Sequence, residues 1–115
     1  MLERALVPVG FHEKPQKLDA MCEFLRRLGT REIVLLHVGP DRRAAGKQNQ
    51  KRIEEVGDRM RSLGFRTETL VRAGSRQLVI VNTAEETGAD YIAFAFHKKS
   101  FLRRTIMGST VKDVI

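Results

Sequence analysis

Tryptophan is absent from this 115-residue chain, and it holds only one cysteine, one tyrosine and three prolines. A lone cysteine, Cys22, excludes an intrachain disulfide and any cysteine-based metal cluster, which accords with a reducing compartment. No apolar run approaches the ~18–20 residues that a bilayer-spanning helix needs, so no membrane span is expected. The opening Met1-Leu2-Glu3-Arg4 lacks the basic segment and long apolar stretch of a secretory signal. A cytoplasmic location is the expectation by elimination. Aromatic side chains are also few, and Phe65, Tyr91, Phe94 and Phe96 fall in strand-like runs. No platform remains on which bases would stack, so nucleic acid is not an expected partner despite a net charge of +7. That charge favours small anions in general and selects none.

What is present is an ordinary globular balance, 42% hydrophobic and 30% charged, in a length that fits one domain. The apolar pattern alternates in type along the chain. Ala5-Leu6-Val7-Pro8-Val9 is a short continuous run ending at Gly10, as in a buried strand. Pro15 suits a first helical position, and Leu18, Met21, Cys22, Leu25 and Leu28 mark one helical stripe that stops at Gly29. Glu32 to Val38 reads as a second buried strand. Ile53, Val56, Met60 and Leu63 form a second helical stripe ending at Gly64. Phe65 to Val71 alternates as an edge strand does. Ser75 is placed to cap a third helix, Arg76 to Thr87, with Leu78, Val81 and Ala84 apolar and Gly88 at its end. Tyr91 to Phe96 is the most apolar strand, and Gly108-Ser109-Thr110 opens a further helix. The resulting order predicts an α/β domain: an open, mainly parallel sheet of about four strands with helices on both faces. Ligands of such sheets sit beyond the carboxyl ends of the strands, where strand order reverses.

Four fragments in register resemble the universal stress protein family. Leu6-Val7-Pro8-Val9 is similar to its first strand and Leu36-His37-Val38 to the end of its second. Ala84 to Ile92 resembles the segment in which a helix ends in Gly-Ala-Asp and enters the fourth strand; Leu102-Arg103-Arg104 and Gly108-Ser109 resemble the approach to its last helix. The resemblance implies a Rossmann-like fold of the adenine-nucleotide alpha-hydrolase type. Members that bind ATP carry Gly-x-x-Gly, nine residues, then Gly-Ser or Gly-Thr, because glycines let backbone N–H groups approach phosphates at a helix amino end. Here Ala95 and Lys98 stand at the two glycine positions, and only Gly108 and Ser109 keep the pattern. Gly10 stands where the first strand commonly ends in an aspartate that helps hold the nucleoside.

Candidate ligand-binding positions are therefore Gly10, Val38, Ala95, His97, Lys98, Gly108 and Ser109, with no catalytic and no metal set. His12, His37 and His97 do not have metal-ligand spacing, and His37 reads as a hydrogen-bonded histidine of a buried strand. Cys22 falls on an apolar helical stripe and reads as an inert core thiol. Glu54-Glu55 and Glu85-Glu86 read as solvated helix faces. Lys98, Lys99, Arg103 and Arg104 offer an anion site or simply a solvated basic loop. The resemblance and the missing motif halves imply a non-catalytic regulatory or stress-response module acting through protein–protein contact, with no cofactor and ATP disfavoured. The alternative is a nucleotide- or anion-binding module with a degenerate phosphate loop. Family members usually continue into a fifth strand beside the fourth, so a chain truncated at its C-terminus, or a homodimer through strand four, is expected.

Overall fold

The computed structural model describes residues 2–95. Within them the order is β1 (Arg4–Pro8), α1 (Pro15–Arg27), β2 (Glu32–Gly39), a 3-10 turn (Arg42–Ala45), α2 (Lys47–Ser62), β3 (Arg66–Ala73), α3 (Arg76–Thr87) and β4 (Tyr91–Ile92). All pairings are parallel, and the strand order is β3-β2-β1-β4. This is the expected open α/β sheet. The reversal of strand order falls between β1 and β4.

The period-two geometry of strands sorts the core into two layers. Ala5 and Val7 of β1, Val9 just beyond it, and Ile33 and Leu35 of β2 pack with Leu18, Met21, Cys22 and Leu25 of α1 and with Ile53 and Met60 of α2. Their neighbours Leu6, Val34 and Leu36 face the other way and pack with Ile80 and Ala84 of α3. Helices α1 and α2 thus cover one face and α3 the other. Each fully buried Leu or Ile contributes roughly 1.5–3 kcal/mol, and β2 has four consecutive buried residues, Ile33 to Leu36. No helix among the described residues is long and apolar enough to cross a membrane.

Several local expectations need correction. Ser75 occupies the N-cap position of α3, but its side chain makes no capping hydrogen bond. Leu78 is 64% exposed, and Ile80 takes the inward position with Val81 and Ala84. Helix α2 starts at Lys47, six residues before its first buried side chain, Ile53, because its first turns are polar throughout and leave no periodic signal. Phe65 precedes β3 and is a core residue instead. The ladder of β4 covers only Tyr91 and Ile92, although the Ala93 N–H still donates to the Leu6 carbonyl at 2.9 Å. Phe96 lies outside the described residues.

Candidate functional site

At the carboxyl ends of β1 and β2 the chain turns back on itself through Gly10, Phe11, His12 and Glu13 before α1 begins. The Glu13 carboxylate accepts the Gly10 backbone N–H at 2.7 Å. A β-carbon on Gly10 would sit 2.5 Å from His12 Cε1 and 2.7 Å from its Nδ1. The chain's own side chains therefore occupy both the donor and the space at the end of β1.

Phe11 adopts φ 71, a left-handed conformation that costs a non-glycine residue roughly 1–2 kcal/mol. Its ring is compensated by contacts on this turn. It stacks on the His37 imidazole with centroids 4.2 Å apart and planes at 26°, and the Arg52 guanidinium lies over it at 5.2 Å. His37 Nδ1 is 2.9 Å from the Val9 carbonyl. Since a carbonyl only accepts, Nδ1 carries the proton and Nε2 the lone pair when the ring is neutral. His37 is thus hydrogen-bonded as expected, though half-buried at a strand end rather than enclosed. Phe11, Glu13, Leu18, Arg52, Glu55 and Val56 line a small hollow of about 180 Å³ beside this stack.

The described candidate positions do not all share one wall. The register that pairs Pro8 with Leu36 sets Val38 level with Gly10. Val38 packs against the layer under α3, whereas Ala95 packs against the layer under α1 and α2. They lie on opposite faces of the sheet, with the β1 end between them. His97, Lys98, Gly108 and Ser109 lie outside the described residues, as do Lys99, Arg103 and Arg104. Sequence reasoning missed Phe11, Glu13 and Arg52. A signal existed for Glu13, whose three-residue offset from Gly10 suits a carboxylate reaching back to a backbone N–H. None existed for Arg52, which sits in a long polar stretch. Among the described residues, no group of His, Cys, Asp and Glu is arranged to hold a metal ion.

Comparison with known proteins adds to this geometry. A universal stress protein of Methanocaldococcus jannaschii is 22% identical over 144 residues, covering 100% of this chain and 89% of that protein. Its solved structure superposes with a TM-score of 0.68 at 18% identity, over 96% of this chain and 91% of that one. A universal stress protein structure from Archaeoglobus fulgidus gives a TM-score of 0.62 at 19% identity; it covers 99% of this chain, which spans only 40% of that longer one. A family protein from Arabidopsis thaliana with AMP bound gives 0.63 at 14% identity, over 94% of this chain and 86% of that one. At such identities the structures show a shared fold. The universal stress protein family model matches residues 1–115, from end to end, and the chain belongs to the universal stress protein family.

Proposed function

We propose that this chain is a stress-response module that works without chemical turnover, through contact with another protein, and that its strand-end crevice holds ATP weakly. One observation carries the reading. At the end of β1 the Gly10 N–H is already spent on Glu13, and the His12 ring fills the space that any side chain at position 10 would enter. Residue 10 itself offers a nucleoside neither a carboxylate nor a free backbone N–H. The substitutions at Ala95 and Lys98 act in the same direction, since a lysine supplies a point charge and not the N–H cradle of a glycine loop. Family membership supports the stress-response role. The location proposed for it is the cytoplasm. One form of contact to test first is a second copy along β4, which forms one edge of the described sheet.

A second reading has its own support: the Arabidopsis relative has AMP bound, and Gly108-Ser109 keeps half of a phosphate motif. On that reading the chain binds a nucleotide in an altered cradle. Equilibrium dialysis against ATP, ADP, AMP and cyclic nucleotides separates the two. The contact reading predicts no retention of any of them at micromolar concentration. Retention of AMP or a cyclic nucleotide there would replace it with the second reading.

A further inference from the structure

Strand β3 forms the edge of the described sheet opposite β4, and its residues 66–73 are half-buried or exposed throughout. The Arg66 N–H donates to the Arg31 carbonyl and the Gly74 N–H to the Gly39 carbonyl, both at 3.0 Å. Backbone groups alternate in direction along a strand. Those of Arg66, Glu68, Leu70 and Arg72 are therefore used on β2, and those of Thr67, Thr69, Val71 and Ala73 point outward. The Thr67 carbonyl accepts from Arg61 Nε at 3.3 Å and Nη2 at 2.9 Å. The outward groups of Thr69 and Val71 have no hydrogen-bond partner among the described residues, although the 3-10 turn lies close to β3.

Side chains on this edge sort by the same alternation. Glu68, Leu70 and Arg72 leave one face of the sheet, in register with Val34, Leu36 and Val38 of β2. Glu68 is exposed, and its carboxylate has no hydrogen bond or ion pair among the described residues. Arg72 Nη1 donates to Thr83 at 2.9 Å and to Glu86 at 2.5 Å, whereas its Nε and Nη2 make no hydrogen bond among those residues. One strand thus carries an unpaired carboxylate and a guanidinium with open donors, with Leu70 midway between them.

We propose that β3 pairs antiparallel with β3 of a second copy of this chain, about a two-fold axis at Leu70. In that register Thr69 and the partner's Val71 exchange backbone hydrogen bonds through their outward groups. Leu70 faces the partner's Leu70, and Glu68 faces the partner's Arg72. These are non-hydrogen-bonded positions, where opposed Cα atoms approach to about 4.5 Å and side chains interact most closely. A two-fold contact is self-complementary, so the Glu68 pair occurs on both sides of the axis. Sliding one copy by two residues in one direction sets Arg66 against the partner's Arg72. Sliding it the other way sets Leu70 against the partner's Arg72 and leaves Glu68 facing the partner's Gly74. Charge therefore selects the register centred on Leu70. The contact lies at the edge opposite β4 and depends neither on a contact there nor on the weak-ATP reading.

Sedimentation velocity over a concentration series, joined to cysteine cross-linking, tests this. The wild-type chain is expected to dimerise, and Glu68→Arg should raise the dimer Kd roughly tenfold by opposing like charges across the axis. Glu85→Arg, an equal change of charge at an exposed position on α3, should leave that Kd within about twofold. Both variants should keep the native circular dichroism, since neither carboxylate has a partner among the described residues. Cys22 is buried, so a new thiol on β3 is read by itself. Leu70→Cys should form an intermolecular disulfide with oxidised glutathione, because the paired Cα atoms lie within disulfide reach. Glu68→Cys, which the register holds apart from its own copy, should not. A chain that stays monomeric at millimolar concentration would overturn the proposal. So would a dimer that Glu68→Arg leaves intact, an equal loss with Glu85→Arg, or equal cross-linking of the two cysteine variants. Calorimetry with ATP reads the other end of the sheet, so the two readings fail separately.

Discussion

The Cys22 thiol is 2% exposed and lies 2.9 Å from the Met60 sulfur, and burial pushes its pKa up to about 11, with Asp19 adding to the rise. Thiolate is the reactive form, so native protein at neutral pH should react with iodoacetamide far more slowly than protein unfolded in urea. Equal rates, followed by mass spectrometry, would mean that the α1–α2 seam opens readily. The same burial sets an alkaline limit. Tyr91 is also raised, by burial against the opposing hydrogen bond with Thr30. Both groups are neutral when protonated and have raised folded values, so their stabilisation is complete below the ordinary values of 9.0 and 10.0 and is lost as pH climbs through the folded ones. Melting temperature should therefore fall above about pH 9, and Cys22→Ala should remove part of that slope. At the other end of the fold, Gly10→Asp puts a β-carbon 2.5 Å from the His12 ring and a second carboxylate beside Glu13. It should cost about 1–3 kcal/mol in a urea melt. A loss near zero would show that the His12 ring gives way and does not fill the space at residue 10.

Gly57 shows what an element demands of a residue. It is a buried glycine in the middle of α2, and a β-carbon there would lie 2.7 Å from the Thr69 methyl on β3. Alanine is favoured over glycine by about 1 kcal/mol in a helix interior, but here it forces helix and strand apart. Gly57→Ala should destabilise by about 1–3 kcal/mol, and adding Thr69→Ser, which removes that methyl, should recover most of it. Additive losses in the double variant would refute the contact. Helices α1 and α2 are joined at the surface by Asp19 and Arg59, whose two hydrogen bonds, at 2.9 and 2.7 Å, hold the Asp19 carboxyl below its ordinary 3.8. A depressed carboxylate stabilises the fold above its ordinary value and loses that effect as pH falls through the folded one. Asp19→Asn should therefore flatten the acid limb of the melting profile below about pH 4, and an unchanged limb would place that sensitivity elsewhere. Elements of this kind were legible in the sequence where one face is buried. The stripe of Leu18, Met21, Cys22 and Leu25 located α1, and Gly88, with φ 71, ended α3 as expected. The first turns of α2 were not legible, because nothing apolar marks them. Neither was the Phe11–His37–Arg52 stack, because it joins residues from three elements through a backbone turn that no periodicity encodes.

For the molecule as a whole, the fold followed from alternating strands and helices, whereas the site depends on which side chains the turn after β1 folds inward. Gly10 as a substitution could be read from the chain; that Glu13 and His12 occupy the place it leaves could not, since both are ordinary surface residue types. At the carboxyl end of the sheet, the β1 terminus is filled by its own turn. The central claim is that the filled end holds ATP only weakly. Isothermal titration calorimetry with ATP, with and without magnesium, tests it most directly. The account predicts a Kd above roughly 1 mM, less than about 4 kcal/mol of binding free energy, and little gain when Ala95→Gly and Lys98→Gly are introduced together. A micromolar Kd for the wild-type protein would contradict it.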